Sequence, residues 1–453
     1  MEQTVTDTGA VKSFDRMPTI TTIPENFWVE MPPVMARMAL EYGPVFRRVT
    51  PPNLAPVLGP WIVFMVGPEA NRFVLQSHRD LFSHERGWTP ILAGLFEQGL
   101  LNTDGSAHDH DRKMMNPAFA VAYMNAYLPI MNRVIAERTR DWAARGTVDL
   151  YEETRKIAFD VAAEALVGLR AGPAADQLRE LFYQLLYADF AAASSVEEFY
   201  TRMSLVRAEI DAMLLAMIAE RRAAPTDDIL GLLVRASDDE GKPFTNTQLL
   251  GQLHILLVAG HETTTTLSAW LLYLLATHPD YLARVHAEMD TVLAETGGEI
   301  TLKAVRAARL LGYAVDEAGR LRPPVGNAPR GTVGDVVFGG YEIPADTTVR
   351  LALAACHYLP HVFADPARFD PDRFAPPREE DKRTPYSLVT FSGGPRVCIG
   401  MSFAQIEIKA MAMRVLRAYT LAPVAGRDIA HVYNGVIASL PNGLHVRVET
   451  RAH

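Results

Sequence analysis

The feature that most constrains the fold is a stretch of about 30 residues, from Thr245 to His278, that reads as one uninterrupted helix. Thr245 and Gln248 have the spacing of a capping box, so a helix can begin near Asn246. It ends at His278-Pro279, because the residue before a proline leaves helical space. At 1.5 Å per residue the helix is about 45 Å long. Leu249, Leu253, Leu256, Gly260, Thr264, Leu267, Leu271 and Leu274 share one stripe. Its length would allow a membrane span, but His261, Glu262 and four consecutive threonines occupy its middle, where a bilayer penalises polar groups. The sequence therefore predicts the buried spine of a large helical unit.

The middle of that helix, Ala259-Gly260-His261-Glu262-Thr263-Thr264, is poor helix sequence. A mid-helix glycine alone costs about 1 kcal/mol against alanine. Bad local propensity in the core of the longest helix points to a functional site. His261-Glu262 begins a zinc-protease pattern, but the second histidine would fall at position 265, which is threonine, and zinc is excluded.

Around the spine, apolar residues at three- and four-residue spacing predict helices within 119–142, 155–168, 177–193 and 205–221, with loops at 223–228 and 237–245. Short β-like runs such as Trp61–Val66 lie near the start. After residue 320 Pro, Gly and β-like segments dominate, followed by a helix at about 400–418 and a small hairpin at 430–449. No stretch reads as a linker. The formal charge of -9 argues against a general nucleic-acid binder. The N-terminus lacks the basic start and apolar run of a signal peptide, and two cysteines build no disulfide framework, so a reducing, cytoplasmic setting is expected.

The segment 391–400, FSGGPRVCIG, carries one of those cysteines. Cys398 lies just before a predicted helix, whose unpaired N–H groups and dipole stabilise a thiolate. Gly393, Gly394 and Gly400 let the backbone approach a flat object, and Pro395 stiffens the loop. Phe391 can shield the sulfur from water, and Arg396 offers a cation to an anionic cofactor edge. A lone cysteine is most often inert packing, and Cys356, in the apolar run LALAACHY, is read that way.

FSGGPRVCIG resembles the ligand-loop signature Phe-x-x-Gly-x-Arg-x-Cys-x-Gly of the cytochrome P-450 superfamily, the haem-thiolate monooxygenases, here of the soluble bacterial type. The resemblance implies a mainly α fold, with a large helical part around a long central helix and a smaller β-rich part, as a single domain over 1–453. It implies haem b with Cys398 as the axial thiolate ligand of the iron. Phe391, Gly394, Arg396, Gly400 and Ala404 would border the cofactor.

Other segments resemble the family in order. Glu317-Ala318-Gly319-Arg320 and the downstream Phe369-Asp370-Pro371-Asp372-Arg373-Phe374 look like its Glu-x-x-Arg helix and Pro-x-Arg-Phe segment. They imply a buried, structural Glu317–Arg320–Arg373 cluster. His108-x-x-x-Arg112 looks like the helix that holds a haem propionate, with Arg330 as another propionate partner. Ala259-Gly260-His261-Glu262-Thr263 resembles the oxygen-activation segment: Ala259 and Gly260 leave room, the Thr263 hydroxyl hydrogen-bonds dioxygen, and Glu262 feeds protons from solvent. His261 is read as packing or network support. The resemblance covers about 100–410 and, weakly, the β-like parts at both ends.

The implied activity is insertion of one oxygen atom of dioxygen into a C–H bond or a C=C bond of a hydrophobic organic substrate. The pocket would draw on 84–103, 178–205, 323–329 and 434–441, where Trp88, Ile91, Leu92, Leu95, Phe96, Val325 and Ile437 are apolar. No flavin or nicotinamide fingerprint is present, so electrons are expected from a separate partner, a ferredoxin plus its reductase. Lys113, Lys382, Arg383 and Lys409 are expected to line the cysteine side and attract an acidic protein. A monomer without membrane anchor or nucleic-acid partner is expected. Two alternatives keep the cofactor: a peroxide-driven peroxygenase or haem-thiolate isomerase or dehydratase, and a non-enzymatic haem ligand-binding protein. The Glu262–Thr263 pair argues against the first, and the lack of an output module against the second.

Overall fold

The predicted spine forms as a helix over Asn246–Thr277 in the computed structural model, which describes residues 11–92, 96, 98–187, 195–427, 429–434 and 436–451. The capping box closes from both sides: the Gln248 N–H donates to Thr245 Oγ1 at 3.2 Å, and the Thr245 N–H to Gln248 Oε1 at 2.9 Å. At the other end a new helix, Pro279–Ala294, begins on the proline that stops the first. The spine is buried on nearly all sides. Among the described residues no helix is long and apolar enough to cross a membrane.

The helix Leu150–Val167 packs along the spine and is pinned to it by Thr154, whose hydroxyl bonds the Thr265 carbonyl at 3.1 Å. Met124–Thr139, Pro173–Leu186 and Val196–Ala223 complete the surroundings, close to the segments predicted from periodicity. The predicted helix of 177–193 stops at Leu186, and its remainder from 188 lies outside the described residues. The helix Met401–Ala418 packs against both the spine and Met124–Thr139.

The β-rich part brings N-terminal strands together with strands from after residue 320. A six-stranded sheet runs in the order Thr19–Ile20, Val45–Val49, Trp61–Val66, Thr348–Ala352, Ala328–Thr332, Phe82–Ser83, with Trp61–Val66 and Thr348–Ala352 parallel. The predicted hairpin of 430–449 is corrected. Only Val432–Asn434 and Ile437–Ser439 pair with each other, while His445–Thr450 pairs with Tyr419–Pro423 and Thr147–Asp149. The cause is Asp149, whose Oδ1 accepts from both Tyr151 N–H at 2.9 Å and Leu444 N–H at 2.8 Å and so draws the terminal strand to the helical side.

Candidate active site

Cys398 ends a loop that enters Met401–Ala418 through Gly400, the N-cap. Its N–H donates to the Phe391 carbonyl at 3.0 Å, which closes the loop on itself. Burial pushes the thiol pKa up, and the Gly400 N–H and Arg112 pull it back. The residue nonetheless carries accessible surface, although protein atoms surround the sulfur closely enough to push its thiol up. Phe391 and Ala404 are half-buried beside it, packed on the main apolar core.

The spine shows a matching irregularity. Val258, His261 and Glu262 are buried, but Ala259 and Gly260 between them are exposed. A Cβ on Gly260 would meet only the Ala162 Cβ, at 4.0 Å, and one on Gly400 nothing within 4 Å. These two glycines fit the close approach of a flat group. Gly393 and Gly394 are corrected in this respect. A Cβ on Gly393 would strike Tyr386 at 2.8 Å, and one on Gly394, at φ +64, the Leu75 carbonyl at 2.2 Å. Both are demanded by protein packing and backbone shape, not by a ligand face.

A cationic cluster borders the cysteine loop. Arg330 is 3% exposed, and the carbonyl that accepts from it is that of Pro329, at 2.7 Å. Burial and neighbouring Arg396 push its pKa down to about 9. Arg396 bonds the Thr103 carbonyl at 2.7 Å but leaves a buried Nη1 without a partner. Asp104 lies 3.4 Å from it yet is shared with the His84 N–H and the Ser83 hydroxyl, so burial still holds Arg396 down at about 10. Arg112 donates to the Val397 carbonyl at 2.8 Å, which ties its helix, Gly105–Met115, to the loop. His108, on that helix, is buried beside Asp109. His84, which no sequence pattern marked, belongs to the same cluster: burial, then Arg330 and Arg396, hold its pKa well below the usual histidine value. Orphaned buried cations of this kind fit a dianionic group such as the two propionates of haem b.

Next to Gly260, Thr263 Oγ1 donates to its own Ala259 carbonyl at 2.7 Å. Glu262 departs from expectation. It is 1% exposed and reaches no solvent. His261 Nε2 lies 2.8 Å from its Oε1, Arg155 Nε lies 3.8 Å away, and the Tyr187 hydroxyl donates to Oε2. Burial raises the Glu262 pKa, but His261 and Arg155 outweigh it and leave the carboxyl below its usual range. The Arg155 guanidinium in turn lies over the rings of Tyr151, Tyr183 and Tyr187. This aromatic network covers Glu262 on its Tyr187 side.

Behind the loop, Glu317, Arg320 and Arg373 come together with no exposure. Of the expected docking cations, Lys113 is paired with Asp239 at 2.6 Å, Lys382 with Glu379, and Arg383 is exposed. Lys409 is corrected: it is half-buried facing Glu288 and Asp316, and burial pushes its pKa down to about 8. Among the expected pocket residues, Val325 and Ile437 form a bridge, and Trp88 and Phe96 are buried. Leu95 lies outside the described residues.

The sequence model of the cytochrome P-450 family matches residues 16–447. A cytochrome P-450 numbered 136 from Mycobacterium tuberculosis is 31% identical over 366 residues, 79% of this chain and 74% of that one. A sterol 14alpha-demethylase from Mycolicibacterium vanbaalenii is 28% identical over 369 residues, 79% of this chain and 81% of that one. Among solved structures, retinoic acid bound cyanobacterial CYP120A1 superposes with TM-score 0.83 at 26% identity, covering 96% of this chain and 99% of that one.

Proposed function

From the premise that the chain belongs to the cytochrome P-450 family, and is thus a haem-thiolate monooxygenase that binds haem b, we propose that it oxygenates a C–H or C=C bond of a large lipophilic substrate. The observation that carries this reading is the conjunction of an accessible Cys398, the open Ala259–Gly260 strip, the buried Arg330 bonded only to a backbone carbonyl, and the unpartnered Nη1 of Arg396. The lipophilic class is supported by the apolar Trp88, Phe96 and Val325–Ile437 surroundings. A sterol demethylase and a retinoic-acid complex among the relatives point the same way. Members of the family draw electrons from redox partners, and we assign a ferredoxin to that role. Residues 1–453 are read as one domain, because Trp61–Val66 pairs with the distant Thr348–Ala352 and His445–Thr450 with the distant Thr147–Asp149.

Haem b, when bound, supplies an iron centre for dioxygen activation. The protein's residues set its surroundings. Cys398 Sγ would hold the iron, and Arg112 and the Gly400 N–H favour its thiolate. Arg330, Arg396, Arg112 and His108 would hold the propionates. Thr263 Oγ1, freed from Ala259 by rotation about χ1, presents a proton above Gly260. Glu262, held as a carboxylate, would first take up a proton by way of Tyr187 or His261 and then pass it toward Thr263.

A lipophilic ligand that changes the iron spin state should be oxygenated with dioxygen, a ferredoxin and its reductase. Product with hydrogen peroxide but none with dioxygen would instead favour the peroxygenase reading. Thr263→Ala and Glu262→Gln should keep ligand affinity and the spin-state response. Their product yield per electron consumed should fall by about 10²-fold, the scale of one positioned proton donor. Unchanged yield in both variants would remove these residues from proton delivery.

A further inference from the structure

The spine carries a second buried polar position, Gln252, about two turns before Gly260. Its Oε1 accepts the Leu100 N–H at 2.9 Å, and its Nε2 donates to Asp111 Oδ2 at 2.8 Å. The Leu100 donor fixes which end of the amide faces which partner. Leu100 belongs to a segment pressed on the spine. A Cβ on Gly99 would strike the Gly251 carbonyl at 2.8 Å. Asn102 Oδ1 accepts the Gly99 N–H at 2.8 Å, and Thr103 Oγ1 donates to the Gly99 carbonyl at 3.1 Å. The Thr103 carbonyl is the one that accepts from Arg396. Gln252 therefore seats a segment that borders the cationic cluster.

Asp111 extends this tie outward. Its Oδ1 lies 3.1 Å from His110 Nδ1, and His110 Nε2 lies 3.2 Å from Asp238 Oδ2. Asp238 Oδ1 accepts the N–H groups of Glu240 and Lys242, at 2.9 and 2.8 Å, and so pins the turn of the loop 236–245. A carboxylate donates nothing, so an imidazole serves one at each nitrogen only when both nitrogens carry protons. Hydrogen bonds to Asp111 and then Asp238 accordingly raise the His110 pKa against a smaller effect of burial. The charged groups facing its ring are Asp111 from its own helix and Asp238 from the loop, while the spine contributes the neutral Gln252. Neighbouring charges are engaged elsewhere: His108 with Asp109, Lys113 with Asp239, and Arg112 with Asn116 and the Val397 carbonyl.

We propose that His110, Asp111 and Gln252 form a positioning relay: the His110 imidazolium, held between Asp111 and Asp238, keeps the 99–103 segment seated on the spine, and loss of its proton loosens that segment. A neutral ring turns a bare nitrogen toward one carboxylate, and the lone pairs repel. Asp111, 7% exposed, then lacks its cationic partner and gains by turning toward water, away from Gln252. The Gln252 amide is thereby released from Leu100. The hold is complete below the ordinary histidine pKa of about 6.5 and is lost as pH rises through the raised folded value. The relay takes from the proposed reaction only the neighbourhood of Arg396, and its test needs no turnover.

The test is amide hydrogen exchange of the haem-loaded protein, resolved to the Leu100 N–H and corrected for the intrinsic pH dependence of exchange. Between about pH 6 and about pH 8.5, a range that spans a raised histidine, corrected exchange at Leu100 should rise about threefold, the scale of a half-exposed ion pair. His110→Gln should flatten this response. Asp238→Asn, which removes one of the two carboxylates, should move its midpoint to lower pH. Gln252→Leu should give fast Leu100 exchange at both pH values, while the 236–245 amides keep their pH response. All three variants should keep the carbon monoxide difference spectrum. A parent protein without a response at Leu100, an equal response in His110→Gln, or an unmoved midpoint in Asp238→Asn would overturn the proposal.

Discussion

Replacing Cys398 with alanine should abolish the red-shifted thiolate Soret band of the dithionite-reduced, carbon-monoxide-treated protein, and with it all oxygenation. The sulfur's setting explains why no other residue can substitute. Cys398 is the one cysteine with accessible surface, while Cys356 is fully buried and engaged. Cys356 Sγ contacts the carbonyls of Leu353 and Ser387 at 3.0 Å, and burial pushes its thiol up to about 12, so it stays protonated. Cys398 has the Gly400 N–H, a helix start and Arg112 to favour its anion. Cys356→Ala should therefore leave the band in place at a cost in stability alone. Retention of the band by Cys398→Ala, or its loss in Cys356→Ala with folded protein, would refute the assignment.

The spine and the cysteine loop were legible because each is locally encoded. A capping box, a leucine stripe and a stopping proline lie within one contiguous stretch, and the loop motif occupies ten consecutive residues. What the sequence concealed depends on distant segments. Glu262 reads as a solvent-fed acid until Arg155 and Tyr187, from two other helices' neighbourhoods, close over it. His84 has no flanking pattern, and only the fold carries it beside Arg330 and Arg396. Lys409 reads as surface charge because its helix is amphipathic, yet the packing of Met401–Ala418 turns it toward Glu288 and Asp316. The loop glycines show the same limit: their presence is obvious, but whether a cofactor or Leu75 demands them is a tertiary fact. Gly319 is another case. A Cβ there would strike Thr390 at 2.7 Å, so the Glu-x-x-Arg helix carries a glycine where the cysteine loop presses against it.

Removing one charge from the Glu317 cluster should cost about 3–5 kcal/mol, because it strands its partner in the dry interior. Arg320 holds both carboxylate oxygens of Glu317, at 2.7 and 2.9 Å, and donates to the carbonyls of His357, Pro366 and Arg368. Arg373 bonds the same carboxylate at 3.1 Å and reaches Glu380 at 2.7 Å, a fourth member that sequence reading missed. Two buried anions thus balance two buried cations, and each guanidinium uses its planar fork. The cluster also reaches the cysteine loop. His357 lies 3.1 Å from the Arg320 carbonyl through Nδ1 and accepts the Val389 N–H at Nε2, 3.3 Å away. Burial and Arg320 hold its pKa down at about 3, so it remains neutral and keeps this bridging tautomer. Arg373→Met should therefore lower the free energy of unfolding by about 3–5 kcal/mol, a large share of the about 5–15 kcal/mol typical of folded proteins. Arg320→Lys should fare little better, since an ammonium cannot span both oxygens of Glu317 and three carbonyls. Loss of the Arg320–His357 bridge should in addition loosen the loop, giving folded protein with reduced thiolate-band yield per haem. Denaturant unfolding of the haem-loaded variants measures the first effect and the carbon monoxide spectrum the second. A loss below about 1 kcal/mol, the scale of an exposed ion pair, would mean that the cluster is not the buried clamp its geometry describes.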